Sequence, residues 1–213
     1  MNKQKKLAII MLGAPGSGKG TQSEYLEKNT GFQRFVMSDL IKKELTPGTE
    51  LYDRVFKEGI LVDDKDIFEI TRKNFDGKSN IIIDGLPRTL DQAYWLYGVL
   101  MNHHYEIELV FLNVDEKKLI DRITHRYYCP KCHRGYNTLV LPSKVAGKCD
   151  DDNETLIQRE DDTKEVFTER LKTFDEVKEV ILDVYKGDVT EVNGDQDILK
   201  VSQDLMSKII MRN

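Results

Sequence analysis

A run of aliphatic residues, KLAIIML, gives way at Gly13 to "GAPGSGKGTQ", and no other stretch limits the fold so tightly. Glycines at 13, 16, 18 and 20 free the backbone to turn its N–H groups around an anion, and Lys19 adds one fixed positive charge. From Gly13 to Lys19 the spacing is Gly-x4-Gly-Lys, the pattern of a polyphosphate cradle in which Gly16, Ser17, Gly18, Lys19, Gly20 and Thr21 meet the phosphates. The apolar run before the loop reads as a buried strand and "GTQSEYLEKN" after it has helical character, which is the order the cradle requires. Gly20 occupies the place where the usual pattern has a magnesium-ligating Ser or Thr. Thr21 follows one position later, so its magnesium role is left open.

Five stretches read as strands: 7–12, 32–37, 80–84, 107–114 and 188–193. Amphipathic segments of helical length separate most of them, which predicts an α/β fold with a five-stranded parallel sheet covered by helices on both faces. In such sheets ligands gather at the carboxyl ends of the strands, so the loop after Leu12 and the DGLPR segment after Ile83 are expected to meet. Two long connections interrupt the alternation and read as insertions. Residues 38–65 are helical, with a break at "TPGTEL"; residues 127–162 hold every cysteine and read as short strands and turns. The C-terminal "QDILKVSQDLMSKIIM" has helical spacing and is expected to close the sheet.

At 213 residues, 39% hydrophobic and 32% charged, the chain suits one domain with insertions or two small ones. Its apolar runs are too short to span a bilayer, so no membrane association is expected. The N-terminal MNKQKK is basic, but the apolar run behind it ends within about seven residues in a glycine loop, so it reads as a strand and not a signal peptide. A net charge of −5 offers no overall attraction for nucleic acid, so an anion site has to be local.

Three cysteines, two of them in Cys129-Pro-Lys-Cys132, argue for metal ligation in a reducing cytoplasm over a disulfide framework. After sixteen residues comes Cys149-Asp-Asp-Asp152, which completes the double x2 spacing of a zinc ribbon. Asp152 is favoured as the fourth ligand on spacing, with Asp150, Asp151 and His133 as neighbouring competitors. A closed set of this kind is structural and stiffens a subdomain without a core of its own. The pair His103-His104 has no ligand cluster around it and reads as surface.

With "GAPGSGKGTQ", "DGLPRTLDQA", "DRITHR" and "LIQREDDTKEVFTERL" in this order, the chain resembles the adenylate kinases, P-loop nucleoside monophosphate kinases, over nearly its whole length. It is most similar to the long form, whose lid carries a metal knot. The resemblance implies a monomeric cytoplasmic enzyme that converts ATP and AMP into two ADP with Mg2+, and a structural Zn2+ at Cys129, Cys132, Cys149 and Asp152. It also implies a core of 1–37, 66–126 and 163–213, an AMP-binding arm at 38–65 and a closing lid at 127–162.

By family position, Lys19, Arg88, Arg126, Arg159 and Arg170 compensate charge on the moving phosphoryl. Arg122, Arg126 and Gln196 join the cradle in holding ATP, and Asp84 holds magnesium through water. Phosphoryl transfer asks for several cations in a dry site, and the planar guanidinium suits phosphate. Arg122 and Arg126, four apart, are expected on one helix face; a similar helical pairing is expected of Arg159 with Asp161 and Asp162. The acceptor would meet Met37, Lys42, Ile60, Val62, Gly85, Arg88, Gln92, Arg159 and Arg170, with Gly85 allowing close approach to the base and Gln92 pairing with adenine.

Departures concentrate in the acceptor arm. Met37-Ser38-Asp39 stands for the usual Thr-Gly-Asp, Lys42 for an arginine and Ile60 for a frequent lysine, and the segment between "PGTEL" and "KEG" is about one helical turn short. Two rivals therefore accompany the AMP reading. One is a kinase for another nucleoside monophosphate. The other is a nucleotide-binding regulator that grips nucleic acid through the knot, against which "CDDDNE" is acidic and no basic, aromatic stripe surrounds it.

Overall fold

The computed structural model of the protein describes residues 5–210. The first four residues of the basic N-terminus, and Met211 at the end of the expected final helix, lie outside the described residues.

Strands β1 (Lys6–Leu12), β2 (Gln33–Val36), β3 (Ile81–Asp84), β4 (Tyr105–Asn113) and β7 (Val189–Asn193) form one parallel sheet in the order β2-β3-β1-β4-β7. The aliphatic run before the glycine loop is thus the central strand. Ala8 pairs with Ile81 on one side and Ile107 on the other; Ile10 pairs with Ile83 and Leu109. These residues share one face, while Ile9, Met11, Ile82, Val110 and Leu112 fill the opposite one. Burial on both faces is why these strands read as unbroken apolar runs and not as alternating ones.

Helices cover each face by the same logic. On the first, α4 (Asp64–Asn74), α5 (Leu90–Asn102) and α7 (Lys164–Val184) contribute Ile67, Ile70, Leu96, Leu100 and Ile181, joined by Tyr185 at the C-cap of α7. On the second lie Leu26 of α1 (Lys19–Thr30) and Val201 and Leu205 of α8 (Ile198–Leu205). The predicted closing helix is therefore present, but it passes into a π-helical turn at Met206–Ile210.

The first interruption contains α2 (Met37–Glu44) and α3 (Glu50–Phe56) and leads into α4. Between α2 and α3 the Thr-Pro-Gly break ends at Thr49, whose hydroxyl caps α3 by accepting from Tyr52 N. In the second, α6 (Glu116–Thr124) leads into the antiparallel pair β5 (Arg126–Tyr128) and β6 (Gly135–Asn137). Isolated bridges, among them Tyr128 to Ile157 and Lys148 to Thr155, continue this ribbon. Among the described residues no helix is long and apolar enough to cross a membrane.

Candidate active site

The cradle opens directly off β1. Gly16 and Gly18 sit in the left-handed region, with φ of 82° and 100°, and Gly18 is the residue on which α1 begins. That conformation turns the loop over the start of the helix, where the free N–H groups point toward an incoming anion. Lys19 folds back beneath the loop and donates to Gly13 O at 2.6 Å and Ala14 O at 2.9 Å. Burial, opposed by the neighbouring Asp84 carboxylate, pulls its ammonium down to about 8. A cation held below its ordinary value in a phosphate loop is one that a bound phosphate stabilises.

Asp84 ends β3 beside the cradle, in register with Met11 of β1. Ser23, on the buried face of α1, donates to Asp84 Oδ2 at 3.2 Å, the one side-chain hydrogen bond to this carboxylate among the described residues. A Cβ placed on Gly20 would come within 3.7 Å of the same oxygen. On the other flank, Arg122 ties the cradle to the turn after β7, donating to Gly194 O at 2.8 Å and Ser17 O at 3.4 Å. Gln196 in that turn donates to Asn193 O and Asp204.

A second cleft lies beyond Asp84, between the helical insertion and the core. Met37, Ile60, Val62, Gly85, Arg88, Gln92, Arg159 and Arg170, eight of the nine residues expected at an acceptor, line it together with Asp161. Gly85 has φ 86°, and a Cβ added there would stand 3.4 Å from Met37 Cβ. Met37 is fully buried, whereas Ile60 is exposed. Lys42, the ninth, sits over the Phe56 ring at 5.5 Å, and burial followed by the charge of Arg159 lowers its ammonium.

Cations converge on this cleft. Burial first, then Arg88, lowers Arg170 to about 10, and burial lowers Arg88 as well. Asp161, itself buried, holds two of the group, accepting from Arg159 Nε at 3.0 Å and Arg170 Nη1 at 2.6 Å. Repulsion among these guanidiniums is relieved by the carboxylates of Asp161 and Asp84 and by whatever anion enters.

Two expectations about the arginines are corrected. Helix α6 stops at Thr124 with His125 as its cap, so Arg126 opens β5 and does not share a helix face with Arg122. Arg159, Asp161 and Asp162 precede α7, which begins at Lys164, and Asp162 accepts from Arg126 Nε at 2.8 Å and pairs with it, not with Arg159. The acids thus link separate segments of chain and not successive helical turns.

At the tip of the ribbon the ligand atoms of Cys129, Cys132, Cys149 and Asp152 lie within 4.8 Å of one another. The two turns that carry them repeat one backbone pattern. His133 N donates to Cys129 O and Cys129 N to Arg134 O; Asn153 N donates to Cys149 O and Cys149 N to Glu154 O. His133 and Asn153 both have positive φ, 62° and 58°. Asp152 therefore occupies in the second turn the place of Cys132 in the first. The competing acids are engaged elsewhere: Asp151 accepts from Arg134 at 2.6 Å, and Asp150 accepts from Lys144 N. Backbone N–H groups of Lys131 and Asp151 aim at Cys129 Sγ and Cys149 Sγ, which suits thiolate charge.

The family model for adenylate kinase matches residues 11–190. The chain belongs to the adenylate kinase family. It is 34% identical to the adenylate kinase of Kosmotoga olearia, over 94% of this chain and 98% of that protein. It is 34% identical to that of Listeria monocytogenes serotype 4a, over 93% and 97%, and 39% identical to that of Mesoplasma florum, over 84% and 87%. The fold is that of an adenylate kinase, and the protein is a nucleotide phosphotransferase.

Sequence reasoning missed two residues that hydrogen-bond to the expected site residues. Ser23 lies one turn past Gly20 on the inward face of α1, a spacing that could have pointed to Asp84. Asp64, the first residue of α4, accepts from Gln92 Nε2 at 2.7 Å and Thr89 Oγ1 at 2.9 Å. No local pattern signals it, because its partners lie in a different helix.

Proposed function

We propose that the protein transfers the terminal phosphoryl group of ATP to AMP, giving two ADP. The observation that carries this reading is the arrangement of cations: Lys19 in the cradle, and Arg88, Arg159 and Arg170 in the adjoining cleft, on either side of Asp84. ATP would lie with its phosphates in the cradle, flanked by Arg122, Arg126 and Gln196. AMP would lie in the second cleft, its base near Gly85 and Gln92 and its phosphate toward Lys42, Arg88 and Arg170. The moving phosphoryl then passes between fixed positive charges, which lowers the barrier by electrostatics and alignment without covalent help from the protein.

Asp84 would hold a hydrated Mg2+, with Thr21 of α1 as the second candidate beside it. A carboxylate with a single hydroxyl donor, beside a Gly20 that leaves space, fits such an ion. When bound, the metal would neutralise charge on the donor's phosphates. The ribbon's three thiolates and one carboxylate fit Zn2+ with no open position, hence a structural role. The core comprises 1–37, 66–126 and 163–213, the acceptor arm 38–65 and a lid 127–162 whose closure would bring Arg159 onto the phosphates beside Arg126 of the core. The enzyme acts as a cytoplasmic monomer without nucleic acid or membrane partners.

Met37 and Lys42 favour keeping a second reading, a different monophosphate as acceptor. A buried thioether replaces a hydroxyl against Gly85, and a point charge replaces a fork. Rates of transfer from ATP to AMP, GMP, CMP and UMP at equal concentration separate the two. AMP is expected to be fastest; any other base ahead of it overturns the adenylate assignment.

A further inference from the structure

Gln92 reaches the acceptor cleft with its amide already held at both ends. Its Oε1 accepts from the backbone N–H of Arg88 at 2.7 Å, and its Nε2 donates to Asp64 Oδ1 at 2.7 Å. Chemistry fixes which end is which: a backbone N–H can face only the oxygen, and a carboxylate can face only the nitrogen. Asp64 is in turn held by Thr89, whose hydroxyl donates to Oδ2 at 2.9 Å while accepting from Gln92 N at 3.1 Å. Gln92 is buried to 2% exposure, so water does not compete freely at the amide.

The orientation matters because an amide is a reversible reader. Turned by half a rotation it exchanges donor and acceptor. In one orientation its remaining N–H and lone pair match adenine, which offers an acceptor at N1 and a donor at N6. In the other they match a 6-oxopurine, which offers the reverse pair. We propose that Asp64 is a positioning residue for base selection, locking the Gln92 amide in the adenine-reading orientation through the Asp64–Gln92–Arg88 chain. This rests on the reading of the cleft as the AMP site. Asp64 touches no reacting atom and acts through Gln92, directly and by way of Thr89. Turning the amide would place Nε2 against the Arg88 N–H and Oε1 against the Asp64 carboxylate, two repulsive contacts in place of two hydrogen bonds.

The test compares kcat/KM for AMP and for inosine monophosphate in the wild type, Asp64→Ala and Asp64→Asn. Asp64→Ala removes one of the two fixings, so the AMP preference should fall by about tenfold, the worth of one buried hydrogen bond to a charged group. KM for AMP should rise while KM for ATP stays unchanged. Asp64→Asn can still offer its oxygen to Gln92 Nε2 and its amide to Thr89, and should keep most of the preference. A purely structural role for the carboxylate at the start of α4 would instead injure both variants alike and move both Michaelis constants.

An Asp64→Ala enzyme with the wild-type preference overturns the lock. So does equal loss in both variants. A wild type that does not prefer AMP at all overturns the adenylate reading first and the lock with it. Should Asp64→Ala fail to fold, the wild type decides by NMR: slow exchange of the Gln92 side-chain N–H groups without nucleotide supports the lock, and fast exchange refutes it.

Discussion

Replacing Lys19 with methionine should abolish most activity while making the nucleotide-free protein more stable. The ammonium is held at about 8 instead of 10.5, chiefly by desolvation. At roughly 1.4 kcal/mol for each tenfold change in proton affinity, holding the charge there costs on the order of 3 kcal/mol. Methionine removes the charge but also the hydrogen bonds to Gly13 O and Ala14 O, each worth about 1 kcal/mol, so a net gain of about 1–2 kcal/mol is expected. For a chain of this size that is a rise in Tm of about 2–8 °C.

The pH dependence carries a definite sign. Between the folded value of about 8 and the unfolded 10.5, the unfolded chain binds the extra proton, so wild-type stability gains from this group as pH rises through that window. The methionine variant lacks this term. Its advantage should be full below pH 8 and shrink toward pH 10, and saturating ATP should reverse it. Paired thermal melts from pH 6.5 to 10 measure the difference, in which other titrating groups cancel. Turnover should fall by about 10²–10³ or more, as for loss of a transition-state donor. A variant that is less stable than wild type by 1 kcal/mol at pH 7, or active within tenfold of it, refutes the reasoning.

Other outcomes follow from the remaining parts of the site. Metal analysis of the purified protein should find about one zinc per chain, and chelation at neutral pH should lower Tm, since ligation contributes folding energy; absence of stoichiometric metal would contradict the ribbon assignment. Lys42→Arg should lower the Michaelis constant for AMP and leave that for ATP nearly unchanged, because the fork restores bidentate phosphate contact from the same position above Phe56. Asp162→Asn should destabilise the protein by about 1–3 kcal/mol in denaturant titrations and raise KM for ATP, because Arg126 loses its buried carboxylate partner.

Much of the sheet was legible because parallel strands buried on both faces leave continuous aliphatic runs. The stretches 7–12 and 80–84 lie within one residue of β1 and β3, while the edge strands β2 and β7, which are less buried, came out a residue or more too long. The grouping of Cys129, Cys132, Cys149 and Asp152 was legible from spacing, since two tight turns with the same x2 interval fold alike. What was not legible was long-range. Nothing in "DRITHR" marks the end of α6 at Thr124, because neither glycine nor proline stands there, so Arg126 read as helical. Asp162 meets Arg126 across 36 residues, and Asp64 meets Gln92 across 28, and such pairs are set by how the insertions fold back on the core.

The claim that the two clefts hold two nucleotides for direct transfer is tested most directly by following ATP and AMP together by 31P NMR in the presence of Mg2+ and catalytic amounts of the protein. Equimolar loss of ATP and AMP with two ADP formed per turnover, and the same mixture reached from ADP alone, is the predicted result. Consumption of ATP with release of inorganic phosphate and AMP left untouched would contradict it.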